Sequence, residues 1–157
     1  MKDSSPEQLA LQHLRILMRG AQRHSARIEK QCGVSGAQLW VMQELADAPG
    51  LSVGAVAARL AIHQTTASNL VDALARKHYL ARSRGEHDQR VVSLTLTAAG
   101  AALIAAAPKP ARGLLPEALA RMSPAGLAQL NAGLAELLDA AGQQDDEQGL
   151  LPLPFTM

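Results

Sequence analysis

At 157 residues the chain has room for one hydrophobic core of ordinary size and not for two. Hydrophobic residues make up 48% but aromatics only 2%, so that core must be built from Ala, Leu, Val and Met, which favours close-packed helices over a β-sandwich. The formal net charge of +1 hides an asymmetry: Arg59 to Arg90 holds six Lys/Arg against three acids, whereas Ser123 to the end holds five acids and no Lys or Arg. The positive charge suits a polyanion such as nucleic acid, and the acidic end is expected to lie away from it.

A single cysteine, Cys32, leaves no internal disulfide scaffold and no zinc finger. No run reaches the length of a bilayer-spanning helix, and Met1–Glu7 lacks the apolar centre of a signal peptide, so a cytoplasmic protein with no membrane partner is expected.

Pro6 can open a helix, and Leu14, Leu17, Ala21, His24 and Ile28 recur at three-four spacing, which predicts a first helix over Pro6–Gln31. Arg15, Arg19, Arg23 and Arg27 repeat on the opposite face and read as a solvated stripe. Gly33 ends this helix, and Ser35 caps a second whose apolar positions are Leu39, Met42, Leu45 and Ala46, stopped by Pro49-Gly50. Ser52 caps a short third helix with Val53, Val56, Ala57 and Leu60 inward. After a tight turn at Ala61-Ile62-His63, a fourth helix buries Ala67, Leu70, Val71 and Leu74. The pair reads as a helix-turn-helix.

That burial turns Thr65, Asn69, Asp72 and Arg76 outward, with Gln64, Thr66 and Ser68 near the amino end. Short polar side chains at the start of a second helix are what base-edge contact in the major groove needs, because they approach closely and can donate or accept. Asp72 and Arg76 are spaced as an i, i+4 pair, and Asp72 is read as helix support.

Leu80–Arg84 and Val91–Leu96 read as two strands, the second alternating Val92, Leu94 and Leu96 against Val91, Ser93 and Thr95. The loop between them, Gly85–Arg90, has no apolar residue. A wing of this kind can lay Arg side chains along phosphates or into a narrow minor groove, which makes Arg82, Arg84, His87, Asp88 and Arg90 candidate DNA contacts beside Gln64, Thr65, Thr66, Ser68, Asn69 and Arg76.

Thr97 caps a further helix, Ala98 to about Ala107, and Pro108, Pro110 and Pro116 predict that it kinks or breaks. Ser123-Pro124 opens a last helix with Leu127, Leu130, Leu134, Leu137 and Ala141 on one face and Gly142 at its end, and Gln143–Met157 reads as a tail, first acidic and then rich in Pro and Leu. The leucine stripe would be exposed in a monomer, so the end helices are predicted to pack across a two-fold axis in a homodimer, placing two reading helices one turn apart on a pseudo-palindromic operator. The expected fold is mostly α with a small β-wing. One domain would hold dimerisation helices at 6–34 and 101–142, a winged helix-turn-helix at 35–100 and a tail at 143–157.

Ser35-Gly36-Ala37-Gln38, the stretch from Leu60 to Val71, and Asp88-Gln89-Arg90 followed by Leu94-Thr95-Leu96-Thr97-Ala98-Ala99-Gly100 resemble the MarR family of bacterial winged-helix transcription regulators, over about Leu9 to Leu138. The most specific part is the Asp-x-Arg wing tip joined to Leu-Thr-x-x-Gly. The resemblance implies a triangular dimer built from the first and last helices, repression of a nearby gene, and release of DNA by a small anionic aromatic effector. It makes Arg90 the wing-tip arginine and Asp88 the aspartate that orients it. The chain departs from the pattern at His63, where a small capping hydroxyl is usual, and at His78, where a glycine is usual.

His24, Arg27 and Trp40 are candidate effector contacts; the preferred reading is a hydrogen-bonded interface histidine for His24 and plain packing for Trp40. Cys32 is preferred as an inert thiol over a peroxide sensor, since no resolving cysteine exists in the chain, although Arg27 and Lys30 could lie near enough to lower its pKa. No phosphate loop, metal-spaced cluster or nucleophile elbow is present, so neither an enzyme nor a cofactor is expected. The sequence therefore predicts a homodimeric, ligand-responsive repressor on double-stranded DNA. The alternatives are an oxidant sensor using Cys32 and a winged-helix adaptor that has lost DNA binding.

Overall fold

The structure is a computed structural model that describes residues 4–157, so Met1–Asp3 of the Met1–Glu7 stretch lie outside the described residues. The elements run α1 (Pro6–Cys32), α2 (Gly36–Asp47), α3 (Val53–Leu60), α4 (Gln64–Arg76), β1 (Leu80–Arg84), β2 (Val92–Leu96), α5 (Ala98–Ala106), α6 (Leu114–Arg121), α7 (Pro124–Ala140) and α8 (Asp146–Gly149), then a 3-10 turn at Pro154–Thr156. No described helix is long and apolar enough to cross a membrane.

Hydroxyl side chains set most of the helix starts. Ser5 and Ser35 form reciprocal capping boxes with Gln8 and Gln38, and Ser52, Thr97 and Ser123 accept the N–H of the residue three further on at 3.0 to 3.1 Å. Each such cap is worth about 1 kcal/mol. Gly33 ends α1 at φ 68°, a left-handed conformation that costs glycine nothing.

The core gathers around α2, which packs on α1, α3, α4, α5 and β2. Leu39, Val41, Met42 and Leu45 are all but fully buried. Ala46, expected among the inward positions, is instead exposed. With neighbours on so many sides, α2 turns Ala37, Val41 and Glu44 inward as well, and Ala46 falls on the side left to solvent beside Asp47.

Glu44 is the buried charge, only 5% exposed. Its carboxylate accepts from Trp40 Nε1 at 3.0 Å, Arg59 Nη1 at 3.1 Å and Arg112 Nε at 2.9 Å, so its charge is compensated by two guanidinium groups. Arg112 also pairs with Asp47. This network ties α2 to α3 and to the α5–α6 linker.

β1 and β2 pair antiparallel from Leu80 opposite Leu96 to Arg84 opposite Val92. Leu51 adds a single bridge on the outer edge of β2, with Leu94 donating to Leu51 at 2.9 Å and Gly50 donating to Leu94 at 2.8 Å. Thr97 then clamps the end of α4 by bonding the carbonyls of His78 and Tyr79, and Gly100 lies so close that a Cβ there would sit 2.0 Å from the Tyr79 oxygen. This explains the Leu-Thr-x-x-Gly pattern: the threonine joins wing to helix and the glycine allows the approach.

The helix starting at Ala98 breaks where the prolines predicted, but the chain resumes as a separate α6 with Pro116 in its first turn, where no N–H is needed. α7 buries none of its residues, and α1 buries none before Ala21.

The stretch read as a tail, Gln143–Met157, is partly docked on the rest of the chain. Residues 146–157 fold back, and the 3-10 turn packs on α1 and α2. Leu151, Leu153 and Phe155 supply apolar side chains, and the Phe155 carbonyl accepts from Ser25 Oγ at 2.8 Å. The acidic end is not kept away from the basic stretch Arg59–Arg90, since Glu147 lies 2.9 Å from His63.

Candidate nucleic-acid interface

α4 buries Ala67, Leu70, Val71 and Leu74, and this stripe leaves Gln64, Thr65, Asn69 and Arg76 exposed and Thr66 and Ser68 half-buried. Helical spacing puts Thr65, Asn69 and Arg76 on the outward face. His63 stands at the N-cap without capping the helix; its ring turns to Glu147 instead.

Asp72 does not pair with Arg76. It pairs with Arg82, because β1 leaves α4 by a tight turn and packs back against it, bringing a second guanidinium within reach. Arg76 is thereby left without an ion pair among the described residues, while Arg82 is already engaged.

The wing loop is shaped from within. Gly85 donates to Val91 at 2.9 Å and Val91 to Asp88 at 3.1 Å, so Val91 closes the loop and β2 begins one residue later than the alternation predicted. Arg84 Nη1 donates to the Gln89 carbonyl at 2.9 Å. Asp88 accepts the backbone N–H of Arg90 at 2.9 Å, so it fixes the turn and not the guanidinium. The Arg90 side chain has no ion pair among the described residues, and His87, Asp88 and Arg90 are all exposed.

Behind this face lies a largely apolar cavity of about 440 Å³ between α1, α2, α6 and the returning C-terminal segment. His24 and Trp40 line it; Arg27 is exposed and does not. His24 Nε2 donates to the Pro110 carbonyl at 2.8 Å, and Trp40 packs against the core while bonding Glu44. Arg112 also lines the cavity. Partial burial opposes its charge, but hydrogen bonds to Asp47 and Glu44 outweigh this and hold its pKa above the ordinary arginine value.

Cys32 is buried at the end of α1, and burial pushes its thiol pKa up, partly offset by Lys109. The neighbouring cation is Lys109, not Arg27 or Lys30, because the α5–α6 linker passes the end of α1 while those two side chains point to solvent.

Glu44, Arg59 and Arg112 were not singled out by sequence, since the arginines lie 15 and 68 residues from the carboxylate. The docking of the C-terminal segment did leave one signal: Phe155 is the only phenylalanine in the chain.

A helix-turn-helix followed by a two-stranded antiparallel wing, on a mostly helical frame, defines a winged helix-turn-helix protein. Residues 33–91 match the family model described as MarR family. The chain is 36% identical over 73 residues to the HTH-type transcriptional repressor MdtR of Bacillus subtilis (strain 168), a match spanning 46% of each chain. It is similar in structure to the YusO protein from Bacillus subtilis, with 26% identity, a TM-score of 0.56, and coverage of 87% of this chain and 99% of that one. It also shares its fold with an S. aureus MepR mutant bound to an oligodeoxyribonucleotide, with 21% identity, a TM-score of 0.55, and coverage of 85% and 97%. A MepR-like protein complexed with pseudoligands superposes with a TM-score of 0.59 at 15% identity, covering 90% and 99%. Over residues 33–91 the chain is similar to the MarR family.

Proposed function

We propose that this protein is a sequence-specific DNA-binding transcription regulator, acting as a homodimer on a pseudo-palindromic operator and most simply as a repressor. The observation that carries the reading is the combination of a polar outward face on α4 with exposed Arg76 and Arg90 that have no ion pair among the described residues. Thr65 and Asn69 are the base-reading residues, with Gln64, Thr66 and Ser68 beside them. Arg90 and Arg84 track phosphate or the minor groove from the wing, His87 and Asp88 shape its tip, and Arg82 contributes through its pair with Asp72.

The match to the MdtR repressor favours repression, and the oligodeoxyribonucleotide-bound MepR mutant favours DNA as the partner. Dimerisation through 6–34 and 101–142 is favoured by α7, which buries nothing in the isolated chain, and by exposed Leu9, Leu14, Ile16 and Leu17 on α1. The cavity, with His24 and Trp40 on its walls, is the site for a small aromatic or anionic effector. On this reading the protein works in the cytoplasm and catalyses nothing. A mobility shift with the DNA upstream of its own gene tests the proposal: a discrete complex that resists scrambled competitor is expected, and binding indifferent to sequence would refute it.

A further inference from the structure

Residues 145–157 combine three consecutive acids, Asp145, Asp146 and Glu147, with a short apolar run ending at Phe155. Local structure alone gives such a stretch little support, since α8, capped by Asp145, is only four residues long. It is nevertheless held at both ends. The Glu147 carboxylate lies 2.9 Å from His63 Nε2, and the Leu150 carbonyl accepts the His63 N–H at 3.1 Å. At the far end Ser25 Oγ, on a residue only 3% exposed, donates to the Phe155 carbonyl at 2.8 Å. Between these anchors, Leu151, Leu153 and Phe155 form one wall of the cavity. His63 is the N-cap of α4, so one segment both lines the cavity and contacts the residue from which that helix starts.

We propose that Glu147–Met157 is an intramolecular strap over the cavity mouth, which an apolar ligand must lift in order to enter, and that lifting it frees His63 and the amino end of α4. Seating of the strap lowers the apparent affinity of any cavity ligand by the fraction of molecules in which the strap is open. The effect on the reading helix rests on the DNA-binding function proposed above; the closure of the cavity does not.

The geometry offers a lock. A Cβ on Gly36 would lie 3.4 Å from the Thr156 Cβ, close to the roughly 3.5–4.5 Å between Cβ atoms of a disulfide. The Ser25 hydroxyl, 3.1 Å away, must yield by a few tenths of an ångström. Full-length Gly36→Cys/Thr156→Cys in a Cys32→Ser background holds the strap down when oxidised and releases it when reduced, and Phe155→Asp loosens it by a separate route. The probe is the dye anilinonaphthalene sulfonate, with emission sensitised by Trp40, the only tryptophan and a cavity residue.

The oxidised double variant should bind the dye at least about tenfold more weakly than the reduced one, and Phe155→Asp more tightly than the parent. On upstream DNA, the dye should weaken binding by the parent and the reduced variant and leave the oxidised variant unaffected. Equal dye affinity in the two redox states, failure of the cysteines to join, or no sensitised emission from Phe155→Asp would overturn the strap. Dye results as expected from a protein that binds no DNA would remove the link to the reading helix, together with the DNA-binding function, and leave the strap standing.

Discussion

His78 sits at φ 61°, where α4 gives way to β1. A side chain in that left-handed conformation costs roughly 1–2 kcal/mol that a glycine avoids. His78→Gly should therefore raise stability by about 1 kcal/mol, seen as a higher melting temperature; a lower one would mean that the imidazole makes a contact worth more than the strain. Cys32 makes the opposite kind of case. Burial raises its thiol pKa above the ordinary value, so the reactive thiolate is scarce near neutral pH and becomes abundant only as pH rises through that raised pKa. Cys32→Ser should leave peroxide sensitivity of DNA binding unchanged, and peroxide that abolishes binding in the parent but not in Cys32→Ser would make this thiol the switch. Residue partners were the least legible feature of the sequence: Asp72 has an arginine four positions on, yet pairs with Arg82, because only the fold brings β1 alongside α4.

The elements were far easier to read, and for local reasons. Ser35, Ser52, Thr97 and Ser123 each stand immediately before an apolar periodic run, and each caps a helix. The alternation at Val92, Leu94 and Leu96 placed the β2 face, with Leu94 fully buried. The bridge at Leu51 was not readable, since one paired residue has no period, and neither was α6, because a proline in a first turn looks the same as one that breaks a helix. The docking of the C-terminal segment was not legible, since it depends on Ser25 and His63 more than 80 residues earlier, and the expectation that its acids lie away from the basic stretch failed for the same reason. In the reading helix, Thr65→Ala and Asn69→Ala should each change base preference at a defined operator position by about 1–3 kcal/mol, measured by binding-site selection. A uniform loss across all sequences would place these side chains on phosphate instead.

At the scale of the whole molecule, α7 is a helix with no buried residue and with Leu134, Leu137 and Leu138 exposed. Burying a leucine is worth about 1.5–3 kcal/mol, so a stripe of them favours a second copy strongly. Leu130→Glu combined with Leu134→Glu should give monomers or unfolded chains in sedimentation; a parent protein that is a stable monomer at micromolar concentration would contradict the dimer. On the proposed function, DNA recognition depends on what the two wings and reading helices of a dimer present together, and Arg90 is the residue on which that account rests most. Its guanidinium is exposed, without an ion pair among the described residues, at the end of a loop that Asp88 fixes through the backbone. Fluorescence titrations of the parent and Arg90→Ala on operator and scrambled DNA across a salt series, run beside thermal melts, test it most directly. The account predicts that Arg90→Ala weakens operator binding by about 1–3 kcal/mol and lowers the salt slope by roughly 1, with melting unchanged. Unchanged affinity and salt slope in a protein that melts like the parent would contradict it.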